Sequence, residues 1–73
     1  MQLIVRGHKI RSQSRRRYVV VYIERPNSFH PNGSASIAKR SDDLATARAH
    51  AHRYGVRPGS FMTVVDTSTG EEI

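Results

Sequence analysis

The residues with most chemistry to offer in this chain are arginines and tyrosines set side by side. Arg15, Arg16 and Arg17 lead directly into Tyr18-Val19-Val20-Val21-Tyr22-Ile23, and Arg25 closes the stretch. A guanidinium grips phosphate with a planar fork of donors, and a Tyr ring offers a face on which a base can stack. Arg15, Arg16, Arg17 and Arg25 thus become candidate phosphate ligands. Tyr18 and Tyr22, with Val20 between them, become a candidate stacking strip. The same residues carry a second reading. Charges beside an apolar strand act as gatekeepers against edge pairing, and Tyr18, Val20 and Tyr22 are then a protein interface.

The other reactive side chains do not converge. His50 and His52 are two apart on a predicted helix and point ~200° from one another, so they cannot share a metal. His8 and His30 fall on predicted loops. Asp42 and Asp43 resemble a carboxylate pair, but neighbouring acids at a helix start are better read as capping and dipole partners. No Ser stands in a nucleophile-elbow context. The five glycines never cluster into a phosphate-cradling loop. The reading is no catalytic residue, no metal site, no cofactor and no small-molecule substrate.

The charge is uneven. The formal net charge is +6 over 73 residues. Residues 1–40 hold nine Lys and Arg against Glu24 alone, while residues 41–73 hold three Arg against five acids. This asymmetry points to an anionic partner, nucleic acid being the commonest, because each phosphate contact releases counterions. The competing explanation is solubility for a small chain with a sticky strand. With no Cys, disulfides, thiol nucleophiles and Cys-ligated zinc are excluded. The longest apolar runs fall far short of the ~20 residues of a membrane span. Neither reads as a signal peptide, so a cytoplasmic location with no membrane partner is expected.

The elements that must position these residues follow from pattern. Gln2 to Arg6 reads as a short strand, with Gly7-His8 as a turn or bulge and Lys9-Ile10 as its continuation. Arg17 to Arg25 is the clearest strand, β-branched or aromatic throughout its middle and apolar on both faces, hence central. Pro26-Asn27 ends it and Pro31-Asn32-Gly33 turns the chain. Ser34 to Arg40 is a weaker strand with Ala35 and Ile37 on one face. Ser41 to Gly55 is a helix: Ser41 as N-cap, Asp42 and Asp43 in the first turn, a stripe of Leu44, Ala47, Ala51 and Tyr54, then Gly55 and Pro58 as stop signals. Phe61 to Asp66 is a strand, Thr67-Ser68-Thr69-Gly70 a turn, and Glu71 to Ile73 a short returning tail. The expected fold is a single small α+β domain over 1–73, β-β-β-α-β, with one mostly antiparallel sheet and one helix on one face.

A geometric consequence follows. One helix covers one face of a four-stranded sheet, and no other element is evident to cover the second. The aliphatic set Val19, Val21 and Ile23 is expected under the Ala-rich helix, and Tyr18, Val20 and Tyr22 outside. That open strip calls for a second copy in a homodimer, another protein, or nucleic acid. The remaining option is self-coverage, with the Pro26 to Gly33 loop folding over and Phe29 filling the gap.

The stretch Ser41-Asp-Asp-Leu-Ala-Thr-Ala-Arg-Ala-His-Ala, and the ending Val-Val-Asp66-Thr-Ser-Thr-Gly70-Glu-Glu, resemble small accessory proteins of actinobacteria and their phages. The resemblance covers about half the chain and implies a phage-type protein that binds one host factor. The β-β-β-α portion also resembles the arm-type DNA-binding domains of phage integrases, from which the added strand after the helix departs. The expected function is a non-enzymatic binding module that engages a protein through its open sheet face and self-associates. The alternative is a nucleic-acid-binding module built on the Arg-rich first half and the Tyr residues.

Overall fold

The computed structural model describes residues 2–11, 15–53 and 60–73. Its elements run β1 (Gln2–Val5), β2 (His8–Arg11), β3 (Tyr18–Glu24), β4 (Ser34–Ser41), α1 (Leu44–Arg53), β5 (Ser60–Asp66) and β6 (Glu71–Glu72). The α+β class and the helix on an antiparallel sheet match the expectation. The expected Tyr54, Gly55 and Pro58 end of the helix lies outside the described residues.

The main sheet is antiparallel in the order β4-β3-β5-β6. β3 is central because every residue of Tyr18-Val-Val-Val-Tyr-Ile-Glu24 has a partner on both sides. The pattern dictates this: a run apolar on both faces belongs where two ladders and two layers remove it from water. Val19, Val20 and Val21 are all fully buried. Side chains of that size contribute ~1.5–3 kcal/mol each when removed from water.

The second face is covered from within the chain. β1 and β2 pair as their own two-stranded hairpin, and Leu3, Val5 and Ile10 pack against Val19, Val21, Ile23 and Val65. Helix α1 lies on the opposite face, where Ala47 is buried with Tyr18, Val20 and Val64. The expected arrangement of the faces is therefore reversed: Tyr18 and Val20 lie beneath the helix and the aliphatic set lies beneath the hairpin. Volume accounts for the exchange. The Leu44, Ala47, Ala51 stripe is shallow and leaves depth for the Tyr18 ring. The larger Leu3, Val5 and Ile10 fill the space above the shorter Val side chains. Phe29 does not plug any gap; it is 88% exposed.

The hairpin turn is Arg6-Gly7, with φ of 52° and 82° and Val5 paired to His8. Two consecutive positive φ values suit the twist of a two-residue hairpin. Arg6 is an uncommon residue to stand there. Its side chain reaches the last strand, bonding Glu72 through Nε at 3.2–3.3 Å and Nη2 at 3.2 Å, and lies 4.9 Å over the Phe61 ring. A turn residue thus fastens the hairpin to the sheet.

The helix start also differs from expectation. Asp43, not Ser41, caps α1: its Oδ1 accepts from the Ala45 N–H at 3.2 Å and its Oδ2 from the Thr46 hydroxyl at 2.7 Å. Ser41 belongs to the end of β4, and its Oγ accepts the Asp43 N–H at 3.0 Å. Asp42 instead accepts from the Arg16 guanidinium and the Arg17 N–H.

Burial on both faces makes a stability prediction. Leu3→Ala and Val20→Ala, on opposite faces of β3, should each destabilise by about 2–3 kcal/mol in urea unfolding. Ile4→Ala, on the hairpin's outer surface, should stay within about 0.5 kcal/mol. A Leu3→Ala variant as stable as the parent would contradict the hairpin's place in the core.

Candidate nucleic-acid interface

The arginine triplet is divided by the fold. Arg16 Nη1 lies 2.7 Å from Asp42 Oδ2, while the backbone N–H of Arg17 donates to Asp42 Oδ1 at 3.0 Å. Arg17 Nη2 lies 3.4 Å from Asp66 Oδ2, and its guanidinium sits 5.3 Å over the Tyr18 ring. The Thr67 N–H donates to the Arg17 carbonyl at 2.7 Å, and the Thr67 hydroxyl reaches the Arg16 and Arg17 carbonyls at 3.0 and 2.8 Å. Residues 16 and 17 therefore clamp the entry of β3 between the segment before α1 and the β5–β6 turn. Arg15 is exposed just before β3 and Arg25 is exposed just after it. A strand of seven residues separates these two, which at ~3.3 Å per residue prevents them from acting as one cluster.

The Tyr strip fares similarly. Tyr18 is 9% exposed and Val20 is fully buried, so neither can face a base or a partner. Tyr22 is half-buried on the same side. The candidate interface is thus corrected at Tyr18 and Val20, which lie in the seam between sheet and helix for the packing reason given above, while Tyr22 keeps part of its surface exposed.

The acids explain what is left. Asp66 is buried and accepts the Ser68 hydroxyl at 2.6 Å and the Ser68 N–H at 2.9 Å, besides Arg17. Those bonds, led by the Ser68 hydroxyl, hold its carboxyl below the ordinary range. Asp42 is held low first by the Arg16 guanidinium and then by the Arg17 N–H. The Thr46 hydroxyl and the Ala45 N–H lower Asp43, and Arg6, then Thr63, lower Glu72. With Glu24, which accepts the Ser34 hydroxyl at 3.3 Å, five of the six acids are engaged in internal bonds.

Lys9, Arg11, Arg15, Arg25, Lys39, Arg40 and Arg48 enter no ion pair among the described residues. Lys9 and Arg11 pair with Ile4 and Gln2, and all four residues are exposed on the outer surface of the hairpin. β2 packs beside β4. There Arg40 is exposed and, as the register partner of Val19, shares the hairpin side of the sheet. The first acid in the sequence is Glu24, so nothing in the hairpin neutralises this strip. Sequence reasoning singled out residues 15–17 and passed over Lys9 and Arg11. The signal for those two was their alternation with His8 and Ile10 in a strand read only as a continuation.

Arg48 and His52 lie one turn apart on α1 and border a cleft of about 220 Å³ floored by Ala51, Met62 and Val64. No group of three metal-ligating side chains occurs among the described residues. No helix among them is long and apolar enough to cross a membrane. Comparison with known proteins finds no protein-family model that matches the chain, and no curated protein or solved structure significantly similar to it.

The lowered carboxylates fix a pH dependence. A depressed folded-state pKa contributes stability that is present above the unfolded value, near 4, and is lost as pH falls through the folded value. Asp66→Asn should lower Tm at neutral pH and reduce the further loss of Tm on acidification below about pH 4. Equal acid sensitivity in variant and parent, followed by circular dichroism, would show that Asp66 does not carry the effect.

Proposed function

We propose that this chain is a small non-enzymatic binding module that holds nucleic acid through its phosphate backbone, with Lys9, Arg11 and Arg40 as the principal contacts. The single observation supporting the reading is the way charge is divided. Most acids are engaged in bonds that hold the fold together, while Lys9, Arg11 and Arg40 stand exposed and enter no ion pair among the described residues. A surface of this kind is a polyanion site, because phosphate contact exchanges condensed counterions for fixed cations. Arg15 extends the same first half, and Arg25 stands at the far end of β3.

The reading in which a protein or a second copy covers an open sheet face loses the surface on which it rested, since both faces are filled by the chain's own hairpin and helix. The outer edge of β4 offers little in exchange. A register shift at Val20/Val21 leaves Ala38 without a β3 partner, and Lys39-Arg40 follow it. A bulge and adjacent charges blunt an edge against strand addition.

The test is binding to labelled duplex and single-stranded probes over a series of salt concentrations. The parent protein should lose affinity steeply as salt rises. Replacing Lys9, Arg11 and Arg40 together by Ser should weaken binding to every sequence. It should also flatten the log–log salt slope by about 2–3 units, at ~0.7–0.9 for each phosphate no longer neutralised. Arg16→Gln should change that slope by less than the value of one phosphate. Binding that vanishes at physiological salt, or a triple variant with an unaltered slope, would refute the assignment.

A further inference from the structure

The loop between β3 and β4 holds a feature that neither the clamp nor the cationic strip uses. Phe29 stands 88% exposed at its tip, yet the backbone around it is tightly organised. The Asn27 side-chain carbonyl accepts the N–H groups of Phe29 and His30, both at 2.8 Å. The His30 carbonyl accepts the N–H groups of Asn27 at 2.9 Å and Gly33 at 2.8 Å. The Asn27 amide returns to the Arg25 carbonyl at 3.3 Å. Pro26 and Pro31 fix two further φ angles. At Gly33 φ is +78°, and a Cβ there would stand 2.6 Å from the Glu24 carbonyl oxygen, so only glycine closes this loop.

An exposed aromatic on a mobile loop carries no message, whereas one held on a pre-ordered loop has already lost the freedom that binding would cost it. The surroundings say what it would meet. The loop itself carries Arg25 and His30, and the carboxylate at its base, Glu24, accepts the Ser34 hydroxyl at 3.3 Å. A bare ring on an ordered loop that also carries Arg25 fits the π-face of a base in a strand with a phosphate against that guanidinium. Resting on the nucleic-acid reading above, we infer that Phe29 is a base-stacking residue and that the preferred ligand is single-stranded. Strandedness follows from magnitude. Stacking one base on an aromatic ring tightens binding about tenfold. Wedging the same ring into a duplex step costs a comparable amount in unstacking, so the gain survives only where the bases are already apart.

The chain has no Trp, which supplies a direct readout. Phe29→Ala and Phe29→Trp are compared with the parent for binding to fluorescein-labelled poly-dT and to a mixed-sequence duplex, after circular dichroism shows unchanged melting. Phe29→Ala should weaken poly-dT binding about tenfold, leave duplex binding within about twofold, and leave the salt slope unaltered, because no charge is removed. The emission of Phe29→Trp should be quenched on saturation with poly-dT. Equal poly-dT affinity for parent and Phe29→Ala, or unquenched Trp emission at saturation, overturns the stacking role while leaving the phosphate-binding reading intact. Failure of the parent protein to bind either probe overturns the phosphate-binding reading itself, and the stacking role with it.

Discussion

The structure depends on β3 being apolar on both faces. A strand of this kind cannot rest at an edge or on a one-layer sheet. It demands two ladders of hydrogen bonds and two covering layers, and a short chain has few segments to supply them. Helix α1 takes one face, and the remaining N-terminal residues must take the other as a hairpin. The hairpin in turn needs a tight reversal, which explains why an arginine occupies a backbone conformation normally left to glycine or asparagine. The bidentate contact from Arg6 to Glu72 and the ring of Phe61 beneath it offset that strain of order 1 kcal/mol. From β3 outward, each element answers a requirement set by the one before it.

Electrostatics in this molecule divides in two. One population of charges is structural: Arg16 with Asp42, Arg17 with Asp66 and Arg6 with Glu72 join segments far apart in sequence. Exposed pairs contribute little individually, but each of these also carries neutral hydrogen bonds, and Asp66 is enclosed among its donors. The other population is excess cation on β2, β4 and the loops. Each pair joins one cation to one acid, so the net charge of +6 rests on the cations that enter none. The positive exterior is thus set by composition, and the pairing decides where on the surface it falls.

Much of the architecture was legible in sequence. β3, β4 and β5 follow from β-branched and aromatic runs bounded by Pro, Asn and Gly. The helix follows from the spacing of Leu44, Ala47 and Ala51, although Ser41 and Asp43 are equally good caps by type and only the path of β4 decides between them. Two things were not legible. Arg6-Gly7 is not a turn signal of the Asn-Gly kind, so the hairpin that covers the second face stayed hidden. A strand apolar at every position carries no phase, so nothing in Tyr18 to Ile23 says which set lies beneath the helix. Both misreadings bear on the candidate site. Without the hairpin, Tyr18 and Val20 present as an open surface. Without the Asp42 and Asp66 contacts, which join residues 26 and 49 apart in sequence, Arg16 and Arg17 present as unattached cations.

The contact between Arg6 and Glu72 spans 66 positions, and residues 18–24 find their inner neighbour only in residues 60–66. During synthesis the most hydrophobic segment therefore emerges long before the strand that completes it. The β1–β2 and β3–β4 pairings are local, but the central strand gains its second ladder only from residues 60–66. Arg15, Arg16 and Arg17, directly ahead of that strand, are charges of the kind that oppose its aggregation in the interval.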